Sequence, residues 1–439
     1  MLLSLALSFL CSAQSSPTIA WAGMLPSSEV PRRGFGLPDK TELLQLLEDR
    51  NEDLGERLQA LSALAYLEVE IDYSVLKAIK RNIRGESSLV SYVRCLGLAG
   101  NGAQSELNKY AKNRSAAVRA EAVFALVRYF PGGANYARSI LAQHKLHPWQ
   151  RVAALRGLAE LDLTRAQVEA MRRLSSEVGE MVLECLAVLR RDLNDDHIPC
   201  LIDLLRNERS RATNEAAAML RYITGYRIGS SHRAWQVAYL QHKATETPMR
   251  APQSDGTQLQ TVTYLGVPIF SDNICFVLDS SSSMTERMYE LRRMTRATKV
   301  VEEFTNILPT LPATSNFNVI FFESTIRDMF EELQAVTSDS KEYASVFVST
   351  NEFAGGTNLY GGIKRAFELD GVEELIVLSD GDPSVGEFTV PWQILVELDS
   401  LNRWRNIRIS SISFSAPRAA ESLMYMIAAH NHGHFMDID

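Results

Sequence analysis

Three stretches of the sequence combine apolar runs or glycines with oxygen-bearing side chains. Residues 273–284, NICFVLDSSSSM, place a carboxylate and four hydroxyls after a run that suits a strand buried on both faces. Residues 353–362, FAGGTNLYGG, set Thr357 in a glycine-rich loop, and residues 375–383, LIVLSDGDP, carry a second apolar run that ends near Asp380. Because ligands of open α/β sheets bind beyond the carboxyl ends of the strands, we expect these oxygens to meet in one crevice.

The candidate site consists of Asp279, Ser281, Ser283, Thr357 and Asp380. Five oxygen ligands, of which only two are charged, select a hard cation such as Mg²⁺, with Mn²⁺ or Ca²⁺ as alternatives. Zinc or copper would call for Cys or His ligands at the site. Since three of the five ligands are neutral, the ion would keep net positive charge. A free coordination position would then attract a carboxylate from a partner.

The motif D-x-S-x-S formed by Asp279, Ser281 and Ser283, followed by Thr357 and Asp380, resembles the metal-ion-dependent adhesion site of von Willebrand factor type A domains. The resemblance covers about residues 261–439. It implies that the serines and the threonine bind the ion directly, and that the aspartates bind it directly or through water. Strand-like and helix-like segments alternate over the same residues, which predicts a doubly wound, mostly parallel α/β sheet of Rossmann-like type.

A rough internal repeat predicts an α-solenoid over residues 41–224. The frame Arg57-x-x-Ala60-x-x-Ala63-Leu64 places small residues three apart, which lets neighbouring helices approach closely while the leucine fills their shared core. The frame resembles short HEAT-type repeats, and an ordinary helical bundle is the alternative. Related frames begin at Arg94, Arg119, Arg151, Val182 and Thr213.

The remaining segments complete a two-domain organisation. Residues 1–22 are predicted to be a signal peptide, because their apolar run has secretory length and is too short to span a membrane. Residues 23–40 read as a linker, and residues 225–260 as a terminal helix followed by a second linker. We therefore predict a helical domain at 41–224 and a von Willebrand factor type A domain at 261–439.

The charge of the chain argues against nucleic acid as a partner. The formal net charge is −8, from 45 Lys and Arg against 53 Asp and Glu. Residues 262–439 hold 13 basic and 25 acidic residues (−12), which leaves 32 and 28 (+4) for the remainder. We therefore expect the two halves to attract each other, with part of that attraction screened by salt.

These observations predict a protein-binding protein without enzymatic activity, in which a bound Mg²⁺ coordinates a Glu or Asp of a partner. The helical repeats would offer a second protein-binding surface, and the signal peptide indicates a secreted or periplasmic location. If the signal is not cleaved, a cytoplasmic accessory subunit that docks on an ATPase, like a chelatase or chaperone component, is the alternative. A serine hydrolase is a further alternative, although neither serine lies in a G-x-S-x-G elbow.

Overall fold

The computed structural model describes residues 36–175, 177, 179–206, 210–245, 262–288, 294–414 and 418–438. The predicted signal peptide and most of the two predicted linkers lie outside these residues. Between residues 40 and 245 the described chain is helical, with short 3-10 turns. The helices are α1 (Lys40–Glu48), α2 (Leu54–Tyr66), α3 (Tyr73–Ile79), α4 (Glu86–Leu98), α5 (Gln104–Tyr110), α6 (Ala116–Tyr129), α7 (Gly133–Leu141), α8 (Pro148–Leu161), α9 (Leu163–Arg173), α10 (Glu180–Arg190), α11 (Ile198–Leu204), α12 (Arg211–Thr224) and α13 (His232–Thr245).

The helices form two layers. The even-numbered helices α2 to α12 pack on one another in chain order, and the odd-numbered helices up to α11 pack on them from one side. Each repeat frame lies on an even-numbered helix. At Gly97 of α4, an added Cβ would lie 2.7 Å from the Cβ of Ala125 on α6, so the small residue allows this close approach. The helical half is therefore a stacked solenoid, as the frame predicted.

Local sequence sets the helix ends. At the start of α12, the Ser210 hydroxyl accepts a hydrogen bond from the Thr213 N–H at 3.4 Å, in a capping box. The helix ends at Gly225, whose φ of +72° is a left-handed conformation that glycine adopts readily.

The second half is a sheet built from parallel and antiparallel strands. A small hairpin precedes it, and the sheet order is β5-β4-β3-β7-β8-β9, with β6 also paired to β4. The pairs among β4, β3, β7, β8 and β9 are parallel, whereas β5 and β6 run antiparallel to β4. The strands are β1 (Thr263–Tyr264), β2 (Val267–Pro268), β3 (Asn273–Asp279), β4 (Asn316–Phe322), β5 (Ile326–Asp328), β6 (Gln334–Ala335), β7 (Glu374–Ser379), β8 (Arg408–Phe414) and β9 (His432–Ile438).

Helices cover both faces of this sheet. Alternate residues of β3 explain why, since Ile274, Phe276 and Leu278 pack on one face while Cys275 and Val277 pack on the other. The first face carries α14 (Arg296–Ile307) and α15 (Ser338–Ser349). The second carries α16 (Leu359–Glu368), α17 (Pro391–Asn402) and α18 (Arg418–His430). The predicted doubly wound, mostly parallel α/β architecture is confirmed.

The two halves pack directly against each other. Helix α17 lies on α2 and α4, and Trp404, just after α17, enters the hydrophobic core of the solenoid. Arg94 Nη1 lies 2.6 Å from Asp399 Oδ2, and Arg403 pairs with the fully buried Glu121. The even-numbered helices thus supply charged groups to the face that the sheet half covers. The domain boundaries at 41–224 and 261–439 remain a prediction.

Candidate metal-binding site

Asp279 ends the central strand β3 and is fully buried. Its Oδ1 accepts the Ser281 N–H at 2.8 Å, and its Oδ2 accepts the Ser379 hydroxyl at 2.6 Å. Burial raises the pKa of Asp279 to about 6, and the nearby Asp380 acts in the same direction. The carboxylate is therefore fixed in place by two donors, yet it lacks a full countercharge.

Ser281 and Ser283 turn away from the end of β3 towards β7. Their hydroxyl oxygens lie 3.0 Å apart, and the Ser283 hydroxyl donates to Asp380 Oδ1 at 2.7 Å. Asp380 immediately follows β7, the parallel neighbour of β3. Three of the predicted ligands are thus in direct contact at the carboxyl edge of the sheet, as the crevice argument requires.

The glycine-rich loop places Thr357 beside this group. The Thr357 hydroxyl and the Ser283 hydroxyl lie 3.9 Å and 3.8 Å from the point where a Cβ on Gly381 would stand. The loop is held beside the carboxyl end of β3 because both the Ser282 N–H and the Ser282 hydroxyl donate to the Gly355 carbonyl, at 3.1 and 3.0 Å. Gly355 has a φ of +80°, and a Cβ there would lie 2.2 Å from a carboxylate oxygen of Glu323. Only glycine fits this close turn without strain.

Two further residues fix the Thr357 loop and Asp279, and the sequence patterns did not single them out. Ser384 accepts the Thr357 N–H at 2.9 Å and donates its own N–H to the Thr357 carbonyl at 3.0 Å. Ser379 donates to Asp279, as described above. Both lie in the stretch around Asp380, so their nearness in sequence to a predicted ligand is the signal that could have found them.

Arg296 is a cation built into the site. It begins α14, and its Nη1 lies 2.6 Å from Asp380 Oδ2 and 3.4 Å from the Ser283 carbonyl oxygen. Its side chain is 11% exposed, so the pair with Asp380 is largely shielded from water. No spacing pattern in the sequence connects Arg296 with residues 84 positions later, and only the fold shows the contact.

The donor set fits a hard divalent cation. Two carboxylates and three hydroxyls gather at one edge of the sheet, and they are the oxygen ligands that Mg²⁺ prefers. Across the described residues no group of three or more His, Cys, Asp and Glu is placed to hold a metal. An ion at this edge would therefore rely on the hydroxyls of Ser281, Ser283 and Thr357 beside the two aspartates.

A family model supports the resemblance seen in the sequence. The model described as the von Willebrand factor type A domain matches residues 272–435, a range that contains all five candidate ligands. Residues 272–435 form a von Willebrand factor type A domain. The helical half precedes this match.

Curated relatives align with the von Willebrand factor type A domain over short stretches. The mouse (Mus musculus) inter alpha-trypsin inhibitor heavy chain 4 is 29% identical over 133 residues, which is 28% of this chain and 13% of that protein. The inter-alpha-trypsin inhibitor heavy chain H3 of Pongo abelii is 31% identical over 134 residues, which is 28% of this chain and 14% of that protein. The chain therefore spans only a small part of the length of these relatives.

Solved structures resemble the chain at low sequence identity. BatB, a conserved hypothetical protein from Bacteroides thetaiotaomicron, is 15% identical, covers 38% of this chain and 89% of its own, and has a TM-score of 0.30. A von Willebrand factor type A protein from Catenulispora acidiphila is 17% identical, covers 38% of this chain and 44% of its own, and has a TM-score of 0.27.

Across the described residues, no helix is both long enough and apolar enough to cross a bilayer.

Proposed function

We propose that the von Willebrand factor type A domain binds Mg²⁺ through Asp279, Ser281, Ser283, Thr357 and Asp380, and uses the ion to bind a Glu or Asp of a partner protein. The observation that carries the proposal is the contact chain from Ser281 to Ser283 to Asp380, with Thr357 beside it. Mn²⁺ and Ca²⁺ are alternative ions for the same oxygens. The bound ion would keep net positive charge, which favours a carboxylate as its last ligand.

The surroundings of the two serines favour metal binding over serine hydrolysis. Each hydroxyl contacts the other or Asp380, and within the described residues no hydrogen bond joins either hydroxyl to an imidazole. A nucleophilic serine needs a general base within hydrogen-bond reach. We therefore propose a binding protein rather than an enzyme.

The remaining parts of the proposal concern the rest of the chain. The solenoid would act as a scaffold that carries the metal-binding domain and offers a second protein-binding surface. The predicted signal peptide supports a secreted or periplasmic location. A cytoplasmic role, in which the domain docks on an ATPase, is the alternative if the signal peptide is not cleaved.

Two linked measurements test the metal-dependent role. Calorimetric titration with Mg²⁺ should give saturable binding to the wild type and none to Asp279→Asn. The exposed Asp339→Asn on α15 removes the same charge away from the site and should bind like the wild type. In an affinity pull-down, a partner should be retained by the wild type in Mg²⁺ and lost in EDTA or with Asp279→Asn. Equal retention in all three would place the binding surface elsewhere.

A further inference from the structure

A cleft of about 430 Å³ lies between the solenoid and the von Willebrand factor type A domain. Its volume falls within the usual range of ligand-binding pockets. Four aromatic side chains line it, with Trp149 from α8, Tyr360 from α16, Phe388 from the loop after β7, and Trp404 from the segment after α17. Tyr360 and Phe388 meet edge to face with ring centroids 4.9 Å apart. Tyr360 and Trp404 are only 3% and 2% exposed, so the accessible aromatic surface comes mainly from the half-buried Trp149 and Phe388, one from each half.

The charged side chains of the cleft are mostly acidic. Glu86, Glu387 and Glu397 line it together with one cation, Lys364, and Lys364 Nζ is already paired with Glu387 Oε2 at 2.8 Å. Glu397 is half-buried, and its Oε2 accepts a hydrogen bond from the Ser87 hydroxyl at 3.3 Å. Burial raises the pKa of Glu397 and Glu387 acts in the same direction, whereas the Ser87 hydroxyl and Lys364 lower it. The lining therefore carries an excess of negative charge.

Aromatic surface beside a net excess of carboxylates favours a cationic ligand. A guanidinium or ammonium group gains both an ion pair and a cation–π contact in such surroundings. Lys364 shows the same preference within the protein, since its Nζ lies 5.5 Å from the centroid of the Tyr360 ring. A carboxylate or phosphate would instead meet repulsion from Glu397 and Glu387.

The cleft is close to the candidate metal site. Tyr360 follows Thr357 by three residues, and Glu387 follows Ser384, which is hydrogen-bonded to Thr357, also by three residues. Three residues span at most about 11 Å of chain. An extended peptide that places a carboxylate at the metal can therefore place a neighbouring side chain in the cleft.

We propose that this cleft binds a lysine or arginine side chain of the same partner segment that presents its carboxylate to the metal. The inference rests on the proposed function, since it adds a second requirement to the ligand of the metal site. The partner segment would then carry an acidic and a basic residue a few positions apart. Glu397 supplies a half-buried negative charge, and Trp149 and Phe388 supply aromatic contact area.

Fluorescein-labelled peptides on a Gly-Ser background test the two sites separately. One peptide carries a single Asp, one a single Arg, one both at varied spacing, and one neither. Fluorescence anisotropy is measured with the full chain in Mg²⁺ and in EDTA. We expect the Arg peptide to bind more tightly than the neutral peptide even in EDTA, and the peptide with both residues to bind most tightly in Mg²⁺.

Charge-neutralising variants then locate the basic residue. Glu397→Gln should weaken binding of the Arg peptide by up to about fivefold, the size of one partly exposed ion pair, because the aromatic contacts are unchanged. Glu387→Gln, at an exposed position, should also weaken binding of the Arg peptide. The change leaves Lys364 without its ion-pair partner, and the lysine then repels the incoming cation. The exposed Glu342→Gln on α15 changes net charge equally and should have no effect.

The outcomes separate the cleft from the metal site. If the Arg peptide binds no better than the neutral one, or if Glu397→Gln and Glu387→Gln leave its affinity unchanged, the cleft assignment is wrong. If the Arg peptide binds as expected while the Asp peptide ignores Mg²⁺, the cleft binds cations but the metal-dependent function fails. In that case the shared partner segment is overturned as well.

Discussion

Replacing Arg296 by glutamine should make the domain bind Mg²⁺ more tightly. Arg296 Nη1 lies 2.6 Å from Asp380 Oδ2 and 3.4 Å from the Ser283 carbonyl oxygen. A positive charge is therefore already paired with one oxygen of a predicted metal ligand. An arriving cation must share Asp380 with this guanidinium or displace it. Arg296→Gln removes the competing charge and keeps a polar side chain of similar reach.

The size of the effect follows from what the displaced arginine loses and regains. A hydrogen bond to a charged group is worth roughly 1.5–3 kcal/mol. Glu286 Oε2 lies 3.5 Å from Arg296 Nη1, and its side chain is 67% exposed, so the guanidinium can turn to it. An exposed ion pair returns up to about 1 kcal/mol. When the full 1 kcal/mol is returned, the net penalty is about 0.5–2 kcal/mol, which corresponds to about two- to thirtyfold tighter binding by the variant.

Isothermal titration calorimetry with Mg²⁺ measures this directly. Lys341→Gln is the matched control. Lys341 carries the same charge, and it contacts the Pro309 and Leu311 carbonyls in the segment that precedes β4, at the other end of the strands. We expect it to bind Mg²⁺ like the wild type. Equal or weaker binding by Arg296→Gln would refute the reasoning, because Arg296 would then hold Asp380 in position rather than compete with the ion.

Three further predictions concern stability. Arg403→Ala should lower the free energy of unfolding in urea by about 3–5 kcal/mol, because it leaves Glu121 buried without its partner; the added change Glu121→Leu should restore part of the loss. Burial lowers the pKa of His434 from 6.5 to about 4, so the unfolded chain binds the extra proton first and stability falls as pH drops from 6.5 towards 4. Urea titrations across that range should show a flatter profile for His434→Gln. Gly355→Ala should lower the free energy of unfolding by about 1 kcal/mol or more and should also weaken Mg²⁺ binding. Gly371, also at positive φ, has open space around it, so Gly371→Ala should lower stability without changing Mg²⁺ binding.

The sequence predicted β3 and β7, at the centre of the sheet, because each contains an unbroken apolar run. The runs at 274–278 and 375–378 became β3 and β7, and both are buried on both faces. The elements that it missed are short or weakly patterned. β5 and β6 have three and two residues and are mostly exposed, and α15 buries only Ala344 and Val348. Such segments depend on tertiary contacts that no local periodicity announces.

The candidate site likewise contains residues that the sequence predicted and one that it missed. Asp279, Ser281, Ser283, Thr357 and Asp380 were found because residue type and strand position together indicate a ligand. Their contacts in the structure bring three separate stretches together, although their role as metal ligands stays a prediction. Arg296 could not be found this way, since an arginine at a helix start has many possible uses. Its pairing with Asp380 arises because α14 begins beside the carboxyl end of β7, which is a property of the fold rather than of any motif.

The packing between the two halves also changes where a second partner could bind. The even-numbered helices present charged residues such as Arg94 and Glu121 to the sheet half, and Asp399 and Arg403 neutralise them there. If one member of such a pair is removed while the other stays buried, the remaining charge is left uncompensated, so another protein covering this face would have to supply matching charges. The face formed by the even-numbered helices is therefore occupied by the von Willebrand factor type A domain. A second protein-binding surface on the solenoid would have to use its outer, odd-numbered helices, while the cleft beside Tyr360 remains the place where both halves meet one ligand.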